Sequence, residues 1–243
     1  MKLCYEDKKI LSSFWQYKKI NQEVIMRFKG VIFDLDGTLL DTLEDIADSM
    51  NTVLKTFNYP THSLEKYKIL VGMGMKNLVT NALPDIARDE ASIEKAFKMM
   101  FEEYNHRWDK KTKLYPGIED LLNNLSSKNI KLAVLSNKID SITQLIFKKY
   151  LYKWKFVAVF GERKGIPRKP DPYSLLEIAK IMELRPEEIV LLGDSGTDMT
   201  AANNANMYGV GALWGFRLEE ELLLHGAKAT VKRPMDLFTL FEK

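Results

Sequence analysis

The segment that most constrains the fold is an apolar run at residues 31–33, Val-Ile-Phe, which ends in two carboxylates, Asp34 and Asp36. β-branched and aromatic residues without polar alternation are typical of a strand in a parallel sheet that is covered on both faces. The carboxyl-terminal edge of such a sheet is where ligands bind. The two acids could be turn formers, but like charges held this close repel each other and favour a bound cation. The segment therefore predicts a strand that delivers two carboxylates to a ligand site.

Two later apolar runs also end in polar residues. Residues 130–135 precede Ser136 and Asn137, and residues 189–192 precede Asp194. Hydroxyl, amide and backbone N–H groups at a strand end can hold phosphate oxygens, although Ser-Asn is also a common start of a helix. Because strands that alternate with helices form a parallel sheet, we expect these strand ends to meet at one edge.

Further strands and helices are expected around these three strands. The additional strands are expected at residues 156–160, 208–213 and 229–231, and the helices at 140–150, 172–184, after Asp194, and from Met235 to the end. The fold class is therefore α/β, with a Rossmann-like parallel sheet as its core.

The first strand is followed by a long stretch with helical periodicity, from about Thr42 to Lys111. Asp41 and Glu44 are spaced as in a helix-capping arrangement, which indicates a helix beginning near Thr42. Apolar residues then recur every three or four positions after Asp89, as expected for a long amphipathic helix.

This stretch predicts an α-helical cap subdomain inserted into the sheet. We assign residues 43–112, hereafter the helical insertion, to the cap and residues 26–42 and 113–243 to the α/β core, with Pro116 in the break between them. Gly72 and Gly74 lie between two helices of the insertion, where they form either an ordinary turn or a loop whose backbone approaches a small anion.

Composition excludes several classes of protein. The 243 residues are 46% hydrophobic and carry a net charge of +3 spread along the chain, which argues for a globular protein and against nucleic-acid binding. No stretch approaches the roughly 20 apolar residues that cross a membrane. Cys4 is the single cysteine, so no intramolecular disulfide can form, and we expect a reducing, cytoplasmic location.

Residues 1–25 are rich in lysine and aromatic residues and lack the continuous apolar core of a secretion signal. Part of this segment could form a short amphipathic helix, either packed on the protein itself or touching a membrane or a partner. Because Met26 leads directly into the first strand, we expect residues 1–25 to be an extension that is dispensable, and either non-native or disordered.

The acids and bases at the strand ends suit phosphate chemistry. Asp34, Asp36 and Asp194 offer hard oxygen ligands without histidine or thiol, a set that favours Mg²⁺. Ser136 and Lys169 would supply donors and positive charge for phosphoryl oxygens. The prolines that follow Lys169 stiffen the chain and would present its ammonium group reproducibly.

The run from Asp34 to Thr38 resembles the first motif of the haloacid dehalogenase-like hydrolases, a superfamily dominated by phosphatases. Ser136, Lys169 and the segment from Asp194 to Asp198 match the remaining three motifs in order, so the resemblance covers about residues 27–243. It implies that Asp34 is a nucleophile that forms an aspartyl-phosphate and that Asp36 is the acid/base.

The resemblance also implies a metal site and supporting residues. Mg²⁺ would be bound by Asp34, the backbone carbonyl of Asp36, and Asp194. Asp198 would steady Lys169 or a metal-bound water, and Thr38 would support the first motif.

The helical insertion resembles the cap of the phosphoglycolate phosphatase branch, which has stretches similar to Gly72-Met73-Gly74 and Ser136-Asn137-Lys138. The resemblance implies a Mg²⁺-dependent hydrolase of a small phosphorylated metabolite such as 2-phosphoglycolate, with no nucleic-acid or membrane partner. A phosphomutase of the β-phosphoglucomutase type and a nucleotide or pyrophosphate phosphatase are alternatives. A non-enzymatic scaffold would have lost the acids, and dehalogenases generally lack an acid where Asp36 stands. The sequence predicts no oligomeric state.

Overall fold

The structure is a computed structural model that describes residues 27–242. The expectations for residues 1–25 lie outside the described residues.

A six-stranded parallel sheet forms the centre of the molecule. Its strands are β1 (Gly30–Phe33), β4 (Lys131–Ile139), β5 (Phe156–Glu162), β6 (Ile189–Gly193), β7 (Tyr208–Ala212) and β8 (Ala229–Val231), and their order across the sheet is β5-β4-β1-β6-β7-β8. In register, Phe33 of β1 lies between Val134 of β4 and Leu192 of β6. The carboxyl ends of β1, β4 and β6 therefore lie side by side.

Both faces of β1 are buried, as its continuous apolar run predicts. Val31 and Phe33 pack into the larger hydrophobic core, and Ile32 packs into the smaller core on the opposite face of the sheet. Each of the three side chains is fully buried. Because side chains alternate between the two faces of a strand, consecutive apolar residues of β1 lie in two different cores.

Helices cover the sheet and complete the predicted Rossmann-like arrangement, which is confirmed. They are α5 (Ile118–Ser127), α6 (Asp140–Ile146), α7 (Tyr173–Met182), α8 (Gly196–Asn204) and α9 (Glu219–Leu224). Two expectations were wrong in detail. The closing helix is a 3₁₀ segment, Pro234–Phe241, and β4 continues through Ser136 and Asn137 to Ile139 instead of ending at Leu135. The pairing of β4 with β5 is irregular between Leu135 and Ile139, so this strand end departs from regular sheet geometry.

The helical insertion contains four α-helices. These are α1 (Leu43–Thr56), α2 (Leu64–Leu70), α3 (Met75–Ala82) and α4 (Glu90–Arg107), with a short 3₁₀ turn, Asp85–Ala87, before α4. The long helix predicted after Asp89 is confirmed, and the Asp89 side chain accepts a hydrogen bond from the Ser92 N–H as its N-cap. A two-stranded antiparallel pair, β2 (Leu40–Asp41) with β3 (Lys113–Leu114), connects the insertion to the sheet.

The helix expected to begin near Thr42 is confirmed, but its capping differs from the arrangement expected at Asp41 and Glu44, since Asp41 Oδ1 accepts only a 3.4 Å hydrogen bond from the Leu43 N–H. Helix α1 begins at Leu43, and its N-cap residue, Thr42, makes no side-chain capping bond. The Thr42 hydroxyl instead donates to the Asp36 carboxylate, as described below. Within residues 27–242 no helix is long and apolar enough to cross a membrane.

Candidate active site

A cavity lies between the carboxyl ends of β1, β4 and β6 and the helical insertion. Its wall on the sheet side includes Asp34, Asp36, Ser136, Asn137, Lys138 and Asp194. Its wall on the side of the insertion includes Ile46, Gly72, Gly74, Met75, Leu78, Met100 and Tyr104. The structure therefore brings the acids of separate strands together, as parallel topology predicts.

Asp34 follows β1 directly and is almost completely buried. Its backbone N–H still donates to Leu192 of β6 at 2.9 Å, so the sheet fixes the position of its main chain. One carboxylate oxygen, Oδ1, accepts from Lys169 Nζ at 2.7 Å. Burial raises the pKa of Asp34 to about 7, although the Lys169 charge opposes the shift. This carboxylate is thus oriented by one strand and one cation.

Lys169 lies behind the cavity wall and uses its ammonium group entirely within the protein. Its Nζ contacts Asp34 Oδ1 and Asp198 Oδ1 at 2.7 Å each and the Leu135 carbonyl at 2.8 Å. An ammonium group has three N–H donors, so these three acceptors satisfy it. Burial alone would lower the pKa of Lys169, but the carboxylates of Asp198 and Asp34 more than offset it and raise the pKa. Lys169 is therefore positively charged and fixed in place.

Asp198 is the second carboxylate that contacts Lys169. Its second oxygen, Oδ2, accepts from the Ser195 hydroxyl at 2.6 Å and from the Ser195 N–H at 3.2 Å. The bond from the Ser195 N–H and a reciprocal bond from the Asp198 N–H to Ser195 Oγ, at 3.4 Å, form a capping box at the start of α8. The capping geometry therefore fixes the carboxylate that orients Lys169.

Asp36 also lines the cavity and has partners different from those of Asp34. Both of its carboxylate oxygens lie 3.0 Å from Lys138 Nζ, and Oδ1 also accepts from the Thr42 hydroxyl at 2.7 Å. Lys138 Nζ lies 4.6 Å from the centre of the Tyr104 ring, on helix α4. Burial alone would lower the pKa of Lys138, but the Asp36 carboxylate more than offsets it and raises the pKa. Asp36 is thus held by Lys138 of β4 and by Thr42, and Tyr104 of the insertion contacts Lys138.

Asp194 follows β6 and is oriented by two hydrogen bonds. The Thr38 hydroxyl donates to Oδ1 at 3.3 Å, and the backbone N–H of Phe216 donates to Oδ2 at 2.7 Å. Gly37 has a φ of +85°, and a Cβ at this position would collide with the Asp194 carboxylate. Glycine therefore allows the loop after β1 to approach Asp194 closely.

The acids of this site fit a divalent cation. Carboxylate oxygens of Asp34, Asp194 and Asp198 lie within 4.8 Å of one another, and all three residues are buried. Burial, together with the charges of Asp34 and Asp198, raises the pKa of Asp194 well above its usual range, with some opposition from the nearby Arg217 charge. Lys169 contacts two of these three carboxylates, those of Asp34 and Asp198, and an added cation would relieve the repulsion among all three.

The side chain of Asp36 belongs to a different set of contacts from this cluster. Its carboxylate is engaged by Lys138 and Thr42, and the backbone carbonyl of Asp36 as a metal ligand stays a prediction.

Asn137 joins the two sides of the cavity. Its Nδ2 donates to the carbonyls of Gly72 and Lys169 at 3.0 Å each, and its Oδ1 accepts from the Lys169 N–H at 2.9 Å. Its neighbour Ser136 accepts a hydrogen bond from the Lys138 N–H, which leaves the Ser136 hydroxyl hydrogen available. Of the residues predicted to bind phosphate, Ser136 thus has a donor to offer, whereas Asn137 bonds to two loops and the Lys169 ammonium has its three donors satisfied within the protein.

Sequence reasoning assigned no role to Lys138, Tyr104 or Arg217, which all line the cavity. Lys138 directly follows the Ser136-Asn137 pair, so its place at the strand end was a signal of proximity to the acids. Tyr104 belongs to a helical apolar stripe, and Arg217 lies in a loop without a motif. Neither carried a sequence signal that separates it from core or surface residues.

Comparisons with known proteins agree with this geometry. A family model described as haloacid dehalogenase-like hydrolase matches residues 31–212. Phosphoglycolate phosphatase of Psychrobacter arcticus is 30% identical over 198 residues, which cover 79% of this chain and 86% of that protein. Phosphoglycolate phosphatase of Chromobacterium violaceum is 27% identical over 221 residues, which cover 90% of this chain and 98% of that protein.

A solved structure of similar fold comes from Haemophilus somnus, where the protein is described as a predicted phosphoglycolate phosphatase. It aligns with a TM-score of 0.81 at 25% sequence identity, covering 89% of this chain and 99% of that one. The chain therefore belongs to the haloacid dehalogenase-like hydrolases, in the branch of phosphatases that these relatives represent.

Proposed function

We propose that the protein is a Mg²⁺-dependent phosphomonoester hydrolase that acts through an aspartyl-phosphate on Asp34, with a small metabolite such as 2-phosphoglycolate as its substrate. The observation that carries the proposal is the separate environment of its two acids. Asp34 and Asp36 line one cavity, but Lys169 holds the first and Lys138 the second. Two carboxylates with different partners suit two different chemical roles.

In the first transfer, the Asp34 carboxylate attacks phosphorus and the ester P–O bond breaks. The bond between phosphorus and the Asp34 oxygen forms with a carboxylate electron pair, and the P–O bonding electrons leave with the alcohol oxygen. Asp36, in its protonated form, gives its proton to that oxygen. Lys169 keeps the attacking carboxylate oriented, because it contacts Asp34 Oδ1 and not Oδ2.

In the second transfer, the Asp36 carboxylate takes a proton from water, and the water oxygen attacks the phosphorus of the aspartyl-phosphate. The bond to Asp34 breaks, and inorganic phosphate and the free Asp34 carboxylate result. The contacts from Lys138 and Thr42 suit the ionised form of Asp36 that this step requires. When bound by Asp34, Asp194 and the carbonyl of Asp36, Mg²⁺ would supply positive charge to the phosphoryl oxygens.

The helical insertion acts as the cap in this proposal. Its residues form one wall of the cavity, and the Gly72 carbonyl is bonded to Asn137 on the opposite side. The volume of the cavity is about 60 Å³, space for about four to six water molecules. The substrate is therefore a compact phosphate ester, which favours a short metabolite over a nucleotide.

The direct test is a phosphate-release assay on a panel of esters. Purified protein is incubated with 2-phosphoglycolate, a hexose phosphate, a nucleoside monophosphate and pyrophosphate, with MgCl₂ or with EDTA. We expect phosphate release that depends on the metal and is fastest with the short ester. Interconversion of sugar phosphates without phosphate release would indicate a phosphomutase, and inactivity across the panel would refute the proposal.

The assigned roles are tested by the Asp36→Asn variant. Loss of the acid/base should lower turnover by about 10²- to 10⁴-fold. With an aryl phosphate, whose leaving group hardly needs a proton, phosphoenzyme should accumulate and be visible by mass spectrometry after acid quench. Asp41→Asn is the matched control, because it removes a carboxylate from the same loop but not from the cavity wall. An Asp34→Asn variant that still forms phosphoenzyme would contradict the assignment of the nucleophile.

A further inference from the structure

The loop after β7 places a guanidinium group at the cavity. Arg217 lines the cavity, and its side chain is 14% exposed. Its Nη2 donates to the carbonyls of Ile69 and Val71 at 3.0 and 2.9 Å, both in the helical insertion. Its Nε lies 3.3 Å from Glu221 Oε1. Arg217 therefore connects the sheet to the insertion at the edge of the site.

One nitrogen of this guanidinium has no acceptor within residues 27–242. Arg217 Nη1 is buried and makes no hydrogen bond there. Buried donors of a charged group are rarely left unpaired, because the cost of removing them from water is then not repaid. A nitrogen of this kind in a residue that lines a substrate cavity indicates that a ligand supplies the acceptor.

The other cations at the site are already engaged. Lys138 contacts both oxygens of Asp36, and Lys169 has three acceptors for its three donors. On the side of the insertion, the wall is mainly apolar, with Met75, Leu78 and Met100 as examples. Among the described residues of the wall, Arg217 is thus the cation with donors to spare.

We propose that Arg217 determines substrate specificity by binding a second anionic group of the substrate, a carboxylate attached within a few bonds of the phosphate ester. This inference rests on the proposed function and narrows its substrate class to phosphorylated hydroxy acids. A guanidinium group pairs strongly with a carboxylate, and its planar geometry is fixed in advance by the bonds to Ile69 and Val71. The same side chain would then bind the substrate and the loop that closes over it.

The test compares two esters of similar shape. In isobutyl phosphate, two methyl groups replace the carboxylate oxygens of 2-phosphoglycolate, so the esters differ mainly in charge. We expect wild-type protein to prefer 2-phosphoglycolate in kcat/KM. Arg217→Met should lower kcat/KM for 2-phosphoglycolate about 10- to 100-fold more than for isobutyl phosphate, the range expected for a hydrogen bond to a charged group. Arg217→Lys keeps the charge and should reduce the preference less.

Arg168→Met is the matched control. Arg168 also lies between the sheet and the insertion, against Gly74, but it does not line the cavity. We expect this variant to leave the ratio of the two kcat/KM values unchanged. Thermal melting of each variant establishes that it is folded, and if Arg217→Met does not fold, Arg217→Lys and the wild-type ratio still decide the question.

Three outcomes would overturn the inference. Equal losses on the two esters in Arg217→Met would make Arg217 a structural contact of the loop only. Wild-type protein that hydrolyses both esters equally well would show that no carboxylate is recognised, with the proposed function intact. Wild-type protein that hydrolyses neither of them nor any other ester would refute the proposed function itself, and the inference with it.

Discussion

A buried carboxylate, Asp45, joins the two ends of the helical insertion, and replacing it with alanine should destabilise the protein severely. Asp45 lies in the first turn of α1 and is 1% exposed. Its Oδ2 accepts from the N–H groups of Lys111 and Thr112 at 2.9 and 2.8 Å and from the Thr112 hydroxyl at 2.9 Å. These bonds join the start of the insertion to its last two residues.

The size of the effect follows from the donors that Asp45→Ala would leave behind. Two backbone N–H groups and one hydroxyl lose their acceptor, and Thr112 is itself buried. A buried donor without a partner costs about 1–3 kcal/mol, and partial access of water to the Lys111 N–H reduces its share. We therefore expect the free energy of unfolding to fall by about 3–5 kcal/mol, a large part of the total for an ordinary domain.

Urea denaturation at pH 7 measures this loss. With a dependence of the free energy of unfolding on urea of about 2–3 kcal/mol per M, the midpoint should fall by about 1–2.5 M. Asp48→Ala is the matched control, because Asp48 lies on the same helix and pairs with the Lys111 ammonium at 2.9 Å, but both side chains are well exposed. Such a surface pair contributes about 0–1 kcal/mol. Equal losses in the two variants would refute the reasoning that burial and satisfied donors make Asp45 important.

Two further predictions concern the loop and the metal. Gly72 has a φ of +120°, which a β-branched residue does not tolerate, so Gly72→Val should impair turnover of 2-phosphoglycolate far more than that of an activated aryl phosphate. Gly165→Val, at φ +78° in open space, is the control, and equal loss on both substrates would indicate misfolding. Burial raises the pKa of Asp34 from 3.8 to about 7 in the folded protein. Without metal, in EDTA, Asp34 therefore contributes fully to the free energy of unfolding below pH 3.8, and this contribution is lost as the pH rises through 7. Added Mg²⁺ should therefore raise the Tm more at pH 8 than at pH 5, and equal shifts would contradict this.

The sequence predicted the parts of the site that topology alone determines. Asp34 and Asp194 each follow a continuous apolar run, and parallel strands place their carboxyl ends at one edge. The proximity of Asp34 and Asp194 could therefore be predicted without knowledge of side-chain contacts. The family resemblance then added the roles of Asp36, Lys169 and Asp198. The structure contains a contact between the last two, Lys169 and Asp198.

The parts that sequence reasoning missed depend on contacts between distant residues. The pairing of β2 with β3 involves two residues on each side, too short for any alternating pattern. Lys138 pairs with Asp36 across 102 positions of the chain, and Arg217 bonds to carbonyls about 147 positions away. A lysine or arginine in a loop has the same sequence signature whether it faces solvent or a buried acid, so only the folded chain distinguishes the two.

Three hydrogen bonds from the core to residues 69–72 of the insertion use main-chain acceptors on the side of the insertion. Arg217 binds the carbonyls of Ile69 and Val71, and Asn137 binds the carbonyl of Gly72. A carbonyl is present whatever the side chain, so this contact constrains the backbone path of the loop and not most of its sequence. Gly72 is the exception, because its φ of +120° is a backbone conformation that other residues rarely adopt. The side chains of the insertion that face the cavity are thus free to set the shape of the substrate site. Asn137 of β4 and Arg217 of the loop after β7 supply the groups that hold residues 69–72 in place.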